Sequence, residues 1–165
     1  MTFTEAFEAY HQQAFRLAYR ILGNREEAED TVQDVFLTIW RLWEKFDQDR
    51  NFKSWMMKIL VNRCIDRLRH QKNLFFDSTG SQDAGQLLIA KEVSPDQILE
   101  NRQLADYVKK LSLLLPPKQK VVFVLRDLEN CEMEEISHVT GMPVNIVKQH
   151  LYLARKFIRE RMWKQ

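Results

Sequence analysis

Glycine and proline are scarce, four of each in 165 residues, and no stretch alternates apolar and polar residues between hairpin-type turns. That absence excludes a β-rich fold. Cysteine is nearly missing: Cys64 and Cys131 stand 67 positions apart with no C-x-x-C partner. Neither a disulfide framework nor a zinc site is expected, and both read as reduced thiols in or near a core. No run of 18 apolar residues occurs, and the N-terminus MTFTEAFEAYHQQ has neither the basic start nor the apolar centre of a secretion signal. The expected location is therefore the cytoplasm, without membrane insertion.

What is present is an ordinary globular composition, 45% hydrophobic and 29% charged. The length suits one compact domain or two small ones. Net charge is only +2, yet it is unevenly spread: −4 over residues 1–50, +5 over 51–73, −4 over 74–100, zero over 101–142 and +5 over 143–165. Two separate basic segments point to two contacts with an extended polyanion. The acidic blocks ask for a different explanation.

Periodicity predicts helices almost throughout. Phe3, Phe7, Tyr10, Ala14, Leu17, Ala18 and Ile21 mark the inner face of the first, and Gly23 can close it in the left-handed conformation. Asn24 is placed to cap a second helix running to Phe46, with Glu27 completing a capping box. A third is expected from about Phe52 to about Arg69. Residues 71–93 lose the periodicity and gain Ser, Gly, Asp and Gln, as linkers do. Helix should resume at Ser94-Pro95-Asp96-Gln97, bury Ile98, Ala105, Val108, Leu111 and Leu115, and pass through Pro116-Pro117 into a helix carrying Val121, Val122, Leu125 and Leu128. The expected fold is all-α: two small helical domains, residues 1–71 and 94–165, joined by a flexible acidic linker, 72–93.

The chain's end, MEEISHVTGMPVNIVKQHLYLARKFIRERM, has the layout of a helix-turn-helix. Ile136 and Val139 point inward, Gly141 makes the turn, and Val144, Val147, Leu151, Ala154 and Ile158 line the inner face of the longer helix. Asn145, Lys148, Gln149 and Tyr152 are left outward where a recognition helix meets base edges, with Arg155, Lys156 and Arg159 suited to phosphates. The alternative is a three-helix bundle with a solvated basic face. Neither Glu132 nor Pro143, at the two helix starts, is a good cap.

In NFKSWMMKILVNRCIDRLRHQK, Trp55, Asn62, Asp66 and Arg69 fall on one stripe, opposite Met57, Val61, Cys64 and Leu68. Such a stripe can stack an unpaired base and hold its backbone; equally, Trp55 can be core. On the second helix Ala28, Val32, Val35, Phe36, Ile39 and Trp43 form an apolar face, with Asp30, Gln33, Asp34, Leu37 and Arg41 opposite. An apolar centre with a polar rim is how a protein contact looks, so a basic protein partner competes with a merely solvated face. Glu26, Glu27 and Glu29 are expected to do little beyond favouring the helix start.

These three features, in this order, resemble the two-domain extracytoplasmic-function (ECF) group of the sigma factors of bacterial RNA polymerase, in the sigma-70 superfamily. AEDTVQDVFLTIWR is similar to the family's D-x-x-Q-[DE]-x-F helix, FKSWMMKILVNRCIDRLR to its F-x-x-W segment, and LPPKQKVVFVLRDLENCEMEEISHVTGMPVNIVKQHLYLAR to its fourth-region signature. The resemblance implies that Asp30, Gln33, Asp34 and Leu37 dock on the largest catalytic subunit of core polymerase. It puts Trp55, Asn62, Arg63 and Asp66, with Arg50 and Asn51 in the preceding loop, at the opened minus-10 element. It puts Arg126, Glu134, Lys148, Gln149 and Tyr152 at the minus-35 duplex. Promoter DNA and core polymerase are the implied partners, an anti-sigma protein is a further candidate, and neither cofactor nor enzymatic activity is implied. Where members commonly read V-K-S-R-L-x-R-A-R, this chain reads VKQHLYLAR; His150 and Leu153 in place of bases should weaken nonspecific phosphate binding.

Two rivals remain. Glu8/His11 and Glu135/His138 have the Glu-x-x-His spacing of di-iron bundles, although the second pair sits on a helix too short to be a bundle strut. A helix-turn-helix regulator acting without polymerase would leave the Asp30/Asp34 face and the Trp55 stripe unexplained.

Overall fold

The computed structural model describes residues 1–79 and 101–163. Among them there are helices and connections and no strand. They are α1 (Phe3–Leu22), α2 (Arg25–Arg41), a 3-10 turn at Trp43–Lys45, α3 (Phe52–Thr79), α4 (Asn101–Ser112), α5 (Pro117–Phe123) running into a π-helical turn at Val124–Leu128, α6 (Met133–Thr140) and α7 (Val144–Trp163).

Local chemistry sets the ends. Thr2 opens α1 with a full capping box: its hydroxyl accepts from the Glu5 N–H, and the Glu5 carboxylate accepts from the Thr2 N–H, both at 3.2 Å. Gly23 closes α1 at φ 71°, and its amide donates to the Tyr19 carbonyl at 2.8 Å. A Cβ there would also come within 2.8 Å of the Leu113 side chain, whose end can move aside. Gly23→Ala should therefore lose about 1–2 kcal/mol, mostly from the left-handed backbone, read as a lower urea midpoint with unchanged slope.

Asn24 caps α2 by accepting from the Glu27 N–H at 3.0 Å. The reciprocal half of the expected box is not made, because the Glu27 carboxylate instead accepts from the Gln71 amide of α3. The second helix also stops earlier than expected, at Arg41. Leu42 takes φ −96°, ψ 4°, and Trp43 to Lys45 tighten into a 3-10 turn that swings Trp43 into an aromatic cluster with Phe46 and Phe52. In the other direction α3 overshoots, reaching Thr79 inside the segment expected to be linker. Neither Gly nor Pro occurs between Phe52 and Gly80, so nothing in the backbone stops it there. The rest of that linker and the Ser94-Pro95 helix start, with Ile98, lie outside the described residues.

α1, α2 and α3 pack on one another, and α4, α5 and α6 pack on α7. The expected inner faces are largely found: Ala14, Leu17, Ala18 and Ile21 on α1, and Ala28, Val32, Val35, Phe36 and Ile39 on α2, are buried. Phe7 is an exception at 39% exposure. It lies edge-on to Phe36 and stacks on His11, whose Nδ1 is 2.8 Å from the Phe7 carbonyl. On α4 the expected face is rotated. Ala105 is exposed, whereas Tyr107, Leu111 and Leu115 are buried with Phe123, Ala154 and Ile158. A ring of Tyr107's size offers far more apolar area than the Ala105 methyl, so it takes the inward position.

The two helical sets do not stand apart. α3 also packs against α5 and α6, and one core runs through residues of both sets, with Met57, Val61, Cys64 and Leu68 of α3 joined to Val121, Val122, Ile136 and Val139.

Candidate functional site

The acidic helix α2 buries one face and leaves the other open. Asp30, Gln33 and Arg41 are exposed, and Leu37 is 52% exposed in their midst. Asp34 is only half-exposed: its Oδ2 accepts from Arg67 Nη2 of α3 at 3.1 Å. One turn on, the Thr38 hydroxyl donates to the Asp34 carbonyl and accepts from Arg63 Nη2, both at 3.0 Å. Glu29 pairs with Arg25 at 3.2 Å. Glu27, bonded to Gln71, ties α2 to α3 and does more than favour the helix start. Trp40, assigned no role by the sequence pattern, is 62% exposed one turn from Leu37, with Leu42 partly exposed beyond it. Adjacent exposed apolar side chains rimmed by polar ones mark a contact surface, unlike scattered single ones. The signal was available: position 40 is three residues after Leu37, which places both on nearly the same side of the helix.

On α3 the expected stripe is real. Asn62, Asp66 and Arg69 are exposed, while Met57, Val61, Cys64 and Leu68 are buried on the opposite side. Trp55 belongs to both worlds. Half-buried, it stacks on Phe46 at 4.5 Å and 17° and lies edge-on to Phe52 at 6.0 Å, in a cluster that includes Trp43. It is one wall of an aromatic box rather than a free plate. In the loop before α3, Asp47 Oδ1 accepts from the Asp49 N–H at 3.0 Å and the Asp47 carbonyl from the Arg50 N–H at 2.9 Å, an Asx-type turn that leaves Arg50 outward. Asn51 caps α3 through Oδ1, which accepts from the Ser54 N–H at 3.3 Å. Arg63 and Asp66 meet Asp34, Arg67 and Glu27 around an open cavity of about 430 Å³ on the α2/α3 seam, so the two candidate surfaces adjoin.

In the helix-turn-helix, Gly141 adopts φ 77°. The turn is braced by the Ser137 hydroxyl donating to the Met142 carbonyl at 2.6 Å, and by Thr140 Oγ1 accepting from the Met142 N–H at 3.3 Å. At the other end of α6, Glu132 makes no side-chain cap bond. Val147, Leu151, Ala154 and Ile158 are buried and Val144 half-buried. Asn145, Lys148, Gln149 and Tyr152 share one exposed face, with Glu134 exposed on α6.

Two expected DNA contacts are occupied otherwise. Arg126 donates to the Cys131 carbonyl at 2.8 Å and lies 3.8 Å from Glu132. Arg155 makes a two-pronged pair with Asp127, at 2.9 and 2.6 Å; that hydrogen bond raises its already high pKa, against the effect of burial. Both anchor the π-helical turn, Arg126 through neighbours along the chain and Arg155 across 28 residues, and a helical periodicity shows neither. His150 is driven toward its neutral form by burial and then by Lys118, and its Nδ1 is buried without a partner among the described residues. Leu153 is 38% exposed. α7 thus carries little charge at those two positions.

Among the described residues no helix is long and apolar enough to cross a membrane. Residues 6–74 match the family described as Sigma-70 region 2, and residues 106–158 match Sigma-70, region 4. The chain is similar to the ECF RNA polymerase sigma factor SigW of Bacillus subtilis, 28% identical over 97% of this chain and 88% of that protein. It is also similar to RNA polymerase sigma factor SigV of Bacillus subtilis, 30% identical over 94% of this chain and 88% of that protein. Among solved structures, the sigma factor RpoE in complex with the anti-sigma factor NepR, from Bartonella quintana, shares the fold with a TM-score of 0.69 at 22% identity, over 96% of this chain and 94% of that one.

Proposed function

This chain belongs to the ECF group of sigma-70 factors, which bind core RNA polymerase and direct promoter-specific transcription initiation, and we propose that three of its helix faces divide that work. The exposed face of α2, with Asp30, Gln33 and Leu37 and now Trp40, docks on core polymerase; Asp34 contributes by fixing Arg67 as well as by its own charge. The α3 face, Asn62, Arg63 and Asp66, with Arg50, Asn51 and the Trp55–Phe46 stack, takes the opened minus-10 strand. On α7, Asn145, Lys148, Gln149 and Tyr152 read the minus-35 duplex with Glu134 nearby, and Arg126 and Arg155 act by holding the π-helical turn behind them. Residues 1–71 and 94–165 serve as the two functional modules, with 72–93 between them.

The observation that carries this reading is the segregation itself. Each of the three helices buries a complete apolar face and keeps its chemically distinctive residues on the other. The protein works by binding energy, without a catalytic step of its own, in the bacterial cytoplasm where polymerase and promoters are. An anti-sigma protein is a further partner by analogy with RpoE and CnrH, which were solved with NepR and CnrY.

Run-off transcription with purified core polymerase on genomic promoter fragments tests the assignment: transcripts should appear only when this protein is added, and a protein that changes no start site would sink it. Lys148→Ala should weaken minus-35 duplex binding about tenfold and flatten its salt dependence by about one ion, leaving polymerase binding alone. Filter binding across a salt series measures both.

A further inference from the structure

The two helical sets are held together by a charged clasp. Glu129 follows the π-helical turn on the C-terminal side, and its carboxylate accepts from Arg20 Nη1 of α1 at 2.8 Å while Arg16 Nη2 approaches to 3.6 Å. The same Arg20 nitrogen donates to the Leu128 carbonyl at 3.2 Å. Glu129 keeps only 14% of its side chain in solvent. Gly23 and Leu113 touch beside this clasp. Beyond it Cys64 of α3 is fully buried, with the almost wholly buried Lys120 of α5 close enough to influence it. Among the described residues no carboxylate pairs with Lys120.

A closed body of this size is too small for the task. A compact chain of 165 residues has a radius of gyration of about 15 Å, hence a diameter of about 40 Å. Elements centred at minus-10 and minus-35 are about 25 base pairs apart, about 85 Å at 3.4 Å per step. The closed arrangement cannot occupy both.

We propose that Glu129, gripped by Arg16 and Arg20, is an ionic latch that keeps the free chain in a closed, promoter-incompetent form, and that parting this contact separates the two modules for initiation. The consequence for initiation rests on the function proposed above; the latch itself is a property of the isolated chain. Removing the carboxylate leaves Arg16 and Arg20 side by side on α1 with no other carboxylate paired to them among the described residues, and only the bond from Arg20 to the Leu128 carbonyl remains.

The seam holds its own reporter, because the Cys64 thiol is protected while the modules are closed. With Cys131→Ser as the parent, leaving Cys64 as the sole thiol, iodoacetamide labelling of the full-length chain, free of polymerase and DNA, should be slow. Glu129→Lys should label at least tenfold faster, and the exchange Arg20→Glu with Glu129→Arg, which restores two guanidinium groups around one carboxylate, should return to within about threefold of the parent. The radius of gyration from solution scattering should follow, near 15 Å in the parent and larger in Glu129→Lys. Should Glu129→Lys lose its helical circular dichroism, Glu129→Gln replaces it, with about threefold faster labelling. Equal labelling of parent and Glu129 variants, or no recovery on charge exchange, overturns the latch. A chain that labels as expected yet directs no run-off transcript leaves the latch standing and removes the function.

Discussion

Leu37→Asp combined with Trp40→Ala should weaken binding to core polymerase by at least about 100-fold, with the helical spectrum and unfolding midpoint nearly unchanged. Both side chains are more than half exposed, so the fold loses almost nothing. If they seat in a polymerase groove, each has the character of an interface anchor, for which truncation typically costs about 2 kcal/mol or more, roughly 30-fold apiece. Asp34→Arg is the less decisive test. Its carboxylate holds Arg67, and Arg63 is bonded to Thr38 one turn away, so charge reversal would crowd cations on the α2/α3 seam and disturb packing along with docking. Affinity measured by biolayer interferometry on immobilised core polymerase separates the two, and a double variant that binds like the parent would remove this face from the interface.

Lys120→Met should strengthen closure at neutral pH by about 100-fold. Burial lowers the Lys120 pKa from 10.5 to about 8, with Cys64 acting weakly in the opposite direction. When the modules part, the ammonium regains water and its ordinary value, so between pH 8 and 10.5 the open form binds more protons than the closed one. Closure is therefore strengthened as pH rises through that window, and below pH 8 the cost of keeping Lys120 buried is present in full. At about 1.4 kcal/mol per tenfold, that cost is about 3 kcal/mol. In the Cys131→Ser background, Cys64 should label about 100-fold faster at pH 7 with the native lysine in place than in the Lys120→Met variant. The ratio should shrink toward one near pH 10.5. The thiol's own pKa, pushed up to about 12 in the closed chain by burial, cancels in the ratio because only the open form reacts. A ratio independent of pH would mean that Lys120 is not uncovered by opening.

Much of the molecule was legible before any coordinates. The buried faces of α1 and α2, the stripe on α3, and the outward set Asn145, Lys148, Gln149 and Tyr152 follow from 3.6-residue periodicity, because each is a property of one helix and its neighbours in the chain. The ends at Gly23 and Gly141 follow from backbone sterics at single residues. The order of the three motifs carried the family.

The failures have a common cause. Ala105 and Tyr107 lie two positions apart, and the apolar surface of Phe123, Ala154 and Ile158, which comes from other helices, gives the larger ring its reason to face in. The fate of Arg155 depends on Asp127, 28 residues away, that of Glu27 on Gln71, 44 residues away, and that of Arg126 on the π-helical turn that brings the carbonyl of nearby Cys131 to it, a break in the regular helix that a period does not show. Closure by Glu129, more than 100 residues from Arg16 and Arg20, is likewise outside any local pattern. Sequence by itself determined the helices, their inner faces and the division of charge, since these rest on periods and on residues close along the chain. Tertiary structure alone decided which charges are spent on one another and which remain for partners, because a salt bridge depends on distance in space, and chain separation says nothing about it.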